Sequence, residues 1–434
     1  MLKLVSPKSK QPLQGEVKLP PSPHFSVMSI LTLATIDGGT AINVARSFHV
    51  ETTTFLLKRL GCKLDWIATD KLIVECGNVD SSLKRHVISV GCYPWLIPLF
   101  TMFYTAKGNA SSLLVLRGEC DWMLKLNFRD VLESVGFIGG RAWFGEKLSS
   151  LLIVEGFRGC LPTSLWRIVV GDNIYTVLGT IIAAIAAGYT RPVLVRGTIP
   201  YTPWLRELVD VFNSLNLQFF IETNRFSIQT TSKTKREIIV GSTCFEAALL
   251  AAPIAASRGR AKLIGITNSE CTASLTYILK SIGCEVEVRE RTLILNCENR
   301  EARNLIAKTV APPLVLPYLG LGVAIKADTT LSETSGLVYE GVQLGKFTSI
   351  LEKLGFAFIV ERDRIASVVS EEPHKRIVVD CGRSPELCLT LIPSALSPDI
   401  ETEIVFDNIE TLESITPGLL EALWSLGALF KQLS

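Results

Sequence analysis

The sequence repeats one pattern six times, and this repetition constrains the fold more than any single motif does. In each copy a helical segment ends at glycine or asparagine, and in most copies short alternating strands follow. The six helix ends fall at residues 61, 136, 216, 283, 355 and 427. Glycine and asparagine tolerate the left-handed backbone that terminates a helix. Such regular recurrence predicts six copies of one structural unit.

Each unit also contains an earlier, more apolar helix. These helices are predicted at residues 26–36, 96–106, 176–187, 245–257, 314–325 and 385–395. A helix that is apolar on most sides must be buried. Alternating residues typical of a strand follow several of them, as at 39–45 and 260–266. We therefore predict an α/β (α+β) fold of six βαβαββ repeats, with one helix of each repeat inside.

Six repeats divide naturally into three plus three, and the polar run at residues 230–237 marks the boundary. The last repeat lacks its closing strands, which residues 2–5 and 15–19 would supply. The expected domains are residues 1–19 with 241–434, and residues 20–240. Clefts between hinged domains commonly bind ligands. We expect a small-molecule ligand in the interdomain cleft, with a protein partner as the other candidate.

Three segments, together with the six repeats, resemble the enolpyruvyl transferase family, to which EPSP synthase belongs. They are residues 13–20, the helix that follows Ser47, and residues 416–427. The resemblance covers the whole chain and implies a two-globe inside-out α/β barrel with three repeats per domain. It also implies anionic substrates, namely phosphoenolpyruvate and shikimate 3-phosphate in the shikimate pathway, and no metal or other cofactor.

The positions where this family carries charged binding residues are mostly uncharged here. Buried phosphates and carboxylates need cations or hydrogen-bond donors. Pro23 and Met28 stand where the first family motif has lysine and arginine, and residues 20–28 contain neither. At three further charged positions of the family the chain has Ile97, Pro313 and Ser414. We therefore expect that phosphoenolpyruvate and shikimate 3-phosphate do not bind together.

Glu340 is retained from another family motif and is the candidate acid or base, with a surface carboxylate as the alternative. Asp380 and Arg383 partly match a third motif and would bind substrate, or form a solvated loop pair. Asp172 and Asn173 fall on a fourth motif, or cap the following helix.

Two further candidates for ligand binding lie in the segment of the first motif. Ser26 and His24 are these candidates, and His24 would either switch its charge near neutral pH or pack at the hinge. Arg46, Arg117 and Lys346 would bind an anion elsewhere, or lie on solvated faces.

The eleven cysteines form no CxxC motif, and the four histidines are scattered, so we expect no metal site. Cys62 and Cys76 flank one predicted hairpin, and Cys284 and Cys297 flank another. Both pairs are either free thiols of a reducing cytosol or cross-strand disulfides of the kind found in hyperthermophiles.

Charge and hydropathy exclude other classes. The 44 basic and 42 acidic residues give a net charge of +2, which disfavours nucleic-acid binding. The longest apolar stretches, 176–189 and 245–257, are shorter than the roughly 20 residues of a membrane span. The first residues lack a signal peptide's apolar region. We expect a cytoplasmic monomer without a membrane span.

Three functions remain open. The chain is either a diverged EPSP synthase-like protein that has lost 3-phosphoshikimate 1-carboxyvinyltransferase activity and binds a ligand or partner, or an active enolpyruvyl transferase with a rearranged site. The third is a cyclase of RNA 3′-phosphate ends, which needs a late nucleophilic histidine and a glycine-rich loop. His374 is the only late histidine, and no such loop is visible.

Overall fold

The computed structural model describes two compact units of the chain. The discontinuous unit comprises Met1–Ser22 and Gly241–Ser434, and the continuous unit comprises Pro23–Val240. The described residues are 2–36, 38–59, 61–76, 86–91, 110–117, 137–138, 141–145, 148–159, 166–169, 174–186, 189–199, 202–230, 236–301, 304–308, 312–332, 344–361, 364–370 and 372–433.

Three four-stranded sheets belong to the discontinuous unit. In spatial order the first contains β17 (Glu285–Arg289), β18 (Thr292–Asn296), β16 (Arg260–Ile264) and β2 (Gln14–Lys18). The second contains β19 (Asn304–Ala307), β20 (Asp328–Ser332), β22 (Arg364–Val369) and β21 (Phe356–Val360). The third contains β23 (Arg376–Asp380), β24 (Glu403–Asp407), β1 (Lys3–Val5) and β25 (Lys431–Leu433).

Three further sheets belong to the continuous unit. One contains β15 (Glu237–Ile239), β3 (Gly39–Ile42), β5 (Lys71–Glu75) and β4 (Lys63–Ala68). Another contains β11 (Trp166–Val169), β12 (Val193–Arg196), β14 (Arg225–Thr230) and β13 (Leu217–Ile221). The last contains β6 (His86–Gly91), β7 (Ala110–Arg117), β10 (Leu148–Gly159) and β8 (Phe137–Ile138), with β9 (Arg141–Gly145) also pairing with β10.

The apolar helices form the interior of each unit. They are α1 (Pro23–Thr35), α3 (Ile174–Ala186), α5 (Cys244–Ala256), α7 (Pro312–Ala324) and α9 (Pro385–Leu396). Every residue of α5 is buried, and α5, α7 and α9 pack on one another. The predicted apolar helices at 26–36, 176–187, 245–257, 314–325 and 385–395 are thereby confirmed to within a few residues. The helix predicted at 96–106 lies outside the described residues.

The remaining helices of the described chain carry exposed as well as buried residues. They are α2 (Phe48–Arg59), α4 (Thr202–Ser214), α6 (Glu270–Ser281), α8 (Leu344–Glu352), α10 (Thr411–Ile415) and α11 (Leu419–Ser425). In the strands, buried residues alternate with exposed ones, as in β16 and β19. One face of these sheets therefore covers helices and the other faces solvent. The α/β fold class predicted from the repeats is confirmed, and so is the inside-out arrangement that the resemblance implies, with helices inside and sheets outside.

The predicted helix ends also adopt the predicted backbone. A left-handed conformation occurs at Asn216, Gly61, Gly283, Gly355 and Gly427, with φ between 59° and 94°. Position 136 lies outside the described residues. Because few residues other than glycine and asparagine adopt this conformation readily, it explains why these residue types recur at the cap.

Glycine is also required where two buried helices cross closely. At Gly320 of α7, an added Cβ atom would collide with the backbone carbonyl oxygen of Thr390 in α9. Backbone cannot move aside as a flexible side chain can, so the absence of a side chain at Gly320 sets the separation of these two buried helices.

The N-terminal strands correct one prediction. Residues 2–5 do help to close the last repeat, because β1 pairs with β24 and β25. Residues 15–19 do not, since β2 lies parallel to β16 in another sheet. The same parallel arrangement joins β15 to β3 and β19 to β20. The strand β2 is therefore the first strand of the repeat that contains α5. The short final strand β25, which the sequence did not predict, completes the sheet of β23, β24 and β1.

Disulfide bonds join four pairs of cysteines in the described residues. Cys62–Cys76 and Cys284–Cys297 cross the two hairpins, and the other pairs are Cys244–Cys271 and Cys381–Cys388. For the two hairpins, the structure selects the disulfide over the free thiol. None of the helices in the described ranges has the length and hydropathy that a membrane crossing requires.

Candidate functional site

The first candidate group lies at the start of α1 in the continuous unit. His24 is the second residue of this helix and is buried. Its ring centroid lies 5.8 Å from that of His49 and 5.6 Å from that of Trp204, which it meets edge to face. Sequence reasoning missed His49 and Trp204, because the contact depends on how α1 packs against the next helix, α2, and against the distant α4.

Burial keeps both histidines neutral. Desolvation, and to a lesser extent the neighbouring His49, lower the pKa of His24 from 6.5 to about 3. Desolvation lowers the pKa of His49 to about 4. Of the two alternatives for His24, a charge switch near neutral pH would need a pKa close to 7, whereas burial lowers this pKa to about 3. The packing alternative describes its surroundings better.

The neighbouring side chains of α1 point into the core. Ser26 is fully buried, and its Oγ accepts a hydrogen bond from the backbone N–H of Ala45 at 3.0 Å. Met28 is also fully buried, and Pro23 is buried at the first helical position. The position where the resemblance places an arginine therefore belongs to an apolar interior.

Arg46, one of the three cations considered from sequence, is exposed and lies shortly after β3. The guanidinium of Arg46 stacks over the ring of Trp66, with its Cζ 4.1 Å from the ring centroid. Cation–π contacts of this kind contribute about 0.5–1 kcal/mol at exposed sites. The side chains of Arg117 and Lys346, the other two cations considered from sequence, lie outside the described residues.

The second candidate group lies in the discontinuous unit, at the carboxyl ends of the parallel strands β23 and β24. Asp380 ends β23, and its Oδ1 accepts hydrogen bonds from Asn408 Nδ2 at 2.7 Å and from the Gly382 N–H at 3.0 Å. Arg383 Nε lies 3.4 Å from Asp380 Oδ2. The hydrogen bond from Asn408 is the largest of several causes that lower the pKa of Asp380. This end of parallel strands is where ligands commonly bind in α/β sheets.

A buried disulfide anchors the loop that carries Asp380 and Arg383. The disulfide Cys381–Cys388 spans it, and both cysteines are fully buried. The Arg383 side chain is 88% exposed, so it faces solvent while its backbone is held. Asn408 was missed from sequence, because it meets Asp380 only where β23 and β24 end side by side.

A third polar group, at the start of α5, was also missed. Thr243 and Glu246 form a capping box, in which the Thr243 N–H and hydroxyl donate to Glu246 Oε2 at 2.8 and 2.7 Å. Burial, opposed by hydrogen bonds from Thr243, raises the pKa of Glu246 to about 7. The Thr-x-x-Glu pattern is a readable signal for such a cap.

The other predicted site residues divide into two kinds. Glu340, Asp172, Asn173 and Ile97 lie outside the described residues. Pro313 is buried in the first turn of α7, and Ser414 is exposed, with its hydroxyl donating to the Thr411 carbonyl at 2.6 Å. The described candidates thus form one group in each unit, His24 with Ser26 in the continuous unit and Asp380 with Arg383 in the discontinuous unit.

Two buried cysteines bear on metal binding. Cys244 and Cys271 are joined in a disulfide, so neither sulfur is a thiolate. Zinc and other soft metals bind the thiolate form of cysteine. This pair therefore does not supply metal ligands while the disulfide is intact.

Structural comparison gives the class of fold. The whole chain superimposes on all of EPSP synthase from Acinetobacter baumannii with a TM-score of 0.70 and 14% identity. A second structure of EPSP synthase from that organism gives 0.66 and 13%, with both chains fully covered. The enolpyruvyl transferase NikO from Streptomyces tendae gives 0.67 and 13%, covering this whole chain and 98% of NikO.

No protein-family model and no curated protein sequence matches the chain. The chain has the two-domain inside-out α/β fold of EPSP synthase and NikO. At 13–14% identity the likeness concerns the fold, and function has to be argued from the residues.

Proposed function

We propose that this chain is a diverged EPSP synthase-like protein that does not transfer the enolpyruvyl group from phosphoenolpyruvate to shikimate 3-phosphate. It instead binds a ligand with fewer negative charges. The observation that carries the proposal is the uncharged, buried start of α1, where Pro23 and Met28 occupy the cation positions of the resembling family.

The electrostatic reason is the cost of removing phosphate from water. A phosphate that loses hydration must gain cations or hydrogen-bond donors, and an unpaired buried charge costs several kcal/mol. His24 offers no positive charge at neutral pH because its pKa is about 3. The hydroxyl of Ser26 is fully buried and already binds the backbone of Ala45.

The group around Asp380 favours a different ligand chemistry. Its carboxylate is held ionised by Asn408 and Gly382, so it repels a phosphate and accepts hydrogen bonds from hydroxyl or amino groups. Arg383 adds an exposed positive charge beside it. A polar ligand of low net charge can bind Asp380 and Arg383 together, whereas two phosphorylated substrates would bring anions close to the Asp380 carboxylate.

A phosphate-release assay tests the loss of activity. The chain is incubated with phosphoenolpyruvate and shikimate 3-phosphate, with Acinetobacter baumannii EPSP synthase as the positive control. We expect release at the rate of the enzyme-free blank. Release within about tenfold of the control, abolished on heat denaturation, would establish the active-enzyme alternative instead.

A further inference from the structure

A cavity of about 500 Å³ opens in the discontinuous unit, and its lining includes none of the candidate residues discussed so far. It lies between the segment after β1 and the segment before β24. Its lining includes Ser6, Lys8, Lys10, Ile400, Glu401 and Glu403. A cavity of this size accommodates a small organic molecule.

Lys10 is held in an unusual way for a lysine. It is half-buried, and its Nζ donates hydrogen bonds to the backbone carbonyl oxygens of Ile400 and, at 3.4 Å, of Ser394. A charged lysine has three N–H donors, whereas a neutral amine has two and a lone pair. Two carbonyl acceptors therefore satisfy the neutral amine fully. A neutral amine bound in this way keeps a lone pair that neither carbonyl engages.

The surrounding charges leave the neutral form accessible. Burial lowers the pKa of Lys10 from 10.5 to about 8, and Asp399 opposes this shift. The other charged groups of the lining are Lys8, Glu401 and Glu403, all at the cavity wall. Glu403 is paired with Arg376 at 3.1 Å, so its charge is compensated.

We propose that this cavity is a covalent ligand site in which Lys10 forms an imine with a small uncharged aldehyde. The Nζ lone pair attacks the carbonyl carbon, and a carbinolamine forms. Both N–H protons of the amine leave with the carbonyl oxygen as water, and a C=N bond remains. On protonation, the iminium regains one N–H, which one of the two carbonyls accepts.

The charged residues that line the cavity favour an uncharged aldehyde. Besides Lys10, the lining carries two carboxylates and one exposed lysine, so it gives no net attraction to an anionic aldehyde. An uncharged aromatic aldehyde fits the volume and needs no counter-ion. Salicylaldehyde is a suitable probe, because cyanoborohydride reduces its imine to a stable secondary amine.

The test uses the full folded chain with salicylaldehyde and cyanoborohydride at pH 7.5, followed by peptide mass spectrometry. Burial favours the neutral amine of Lys10 and the cavity gives the aldehyde access to it, so we expect Lys10 to be labelled faster than the exposed Lys8. Lys10→Arg should abolish the fast labelling, and the matched Lys8→Arg should leave it unchanged. In denaturant the preference should disappear.

Labelling of Lys10 at or below the rate of Lys8 in the folded chain would overturn the proposal. So would fast labelling that persists in Lys10→Arg, or an equal preference in the unfolded chain. The comparison of Lys10 with Lys8 within the unmodified protein does not depend on whether either variant folds.

Discussion

Cys62 is joined to Cys76 across the hairpin of β4 and β5, with their Cα atoms 4.5 Å apart. Cys284 and Cys297 repeat this arrangement across β17 and β18, at 4.3 Å. In both hairpins the bridge lies one residue beyond the first cross-strand pair, Lys63 with Glu75 and Glu285 with Asn296. Two repeats in different units therefore carry a disulfide at the same structural position.

Removing one of these disulfides should lower the free energy of unfolding. Cys62 and Cys76 are 14 residues apart, and closing a loop of this length contributes about 3 kcal/mol in the chain-entropy account. We expect the double variant Cys62→Ser, Cys76→Ser to lose about that amount in denaturant unfolding, and the oxidised parent to lose a comparable or larger amount on reduction. Alkylation of the unreduced, unfolded parent that labels both cysteines would contradict the bridge.

A buried ion pair supports the interior of the discontinuous unit. Arg300 is 3% exposed, donates to the carbonyls of Ala255 and Ala256 at the end of α5, and pairs with Asp399. A buried carbonyl left without its donor costs about 1–3 kcal/mol. Because Asp399 keeps Arg258 as a partner, we expect Arg300→Met to lose about 1–3 kcal/mol of unfolding free energy, mainly from the carbonyls of Ala255 and Ala256.

Arg258 provides the matched control, because it pairs with the same Asp399 but is 46% exposed. Exposed pairs contribute about 0–1 kcal/mol. Arg258→Met should therefore lose less than about 1 kcal/mol in the same urea titration. Equal losses in the two variants would show that burial of Arg300 is not what matters.

His24 should make the fold sensitive to acid. Its pKa falls from 6.5 in the unfolded chain to about 3 in the folded one, so the folded state disfavours the proton. Its contribution to stability is present above pH 6.5 and is lost as the pH falls towards 3. We expect His24→Phe to unfold at lower pH than the parent, followed by circular dichroism.

His374 is exposed and supplies the control for that experiment. His374→Phe should leave the acid midpoint unchanged. An acid midpoint in His24→Phe equal to that of the parent would remove His24 from the cause of acid unfolding.

Glu246 should act in the opposite direction. Its pKa rises from 4.5 to about 7 on folding, so the folded state favours the protonated acid. This contribution is complete below pH 4.5 and is lost as the pH rises through 7. Glu246→Gln keeps an oxygen that accepts from Thr243, so we expect its stability to fall less than that of the parent between pH 5 and 8. Parallel stability curves for the two proteins would contradict the raised pKa.

The repeats and helix ends were predictable because they depend on local chemistry. Apolar runs identify buried helices, and glycine marks the left-handed cap, as at Gly283 and Gly355. The partner of β2 was not predictable, since its pairing with β16 joins residues about 245 positions apart, as in Gly15 with Ala261. Local patterns indicate a strand but not its neighbour.

The candidate site was less predictable than the fold. Asp380 and Arg383 were identified, but the contact of Asp380 with Asn408 depends on how two parallel strands end side by side. The depressed pKa of His24 likewise depends on burial by His49 and Trp204, which sequence position does not reveal. The cysteine spacing allowed a bridge but did not decide it.

Calorimetric titration of phosphoenolpyruvate into the chain, with and without excess shikimate 3-phosphate in solution, tests the central claim most directly. Because residues 20–28 contain no lysine or arginine, and Pro23 and Met28 are buried and uncharged, we expect no heat of binding for either compound, alone or together. Micromolar binding of phosphoenolpyruvate that requires shikimate 3-phosphate would contradict the account.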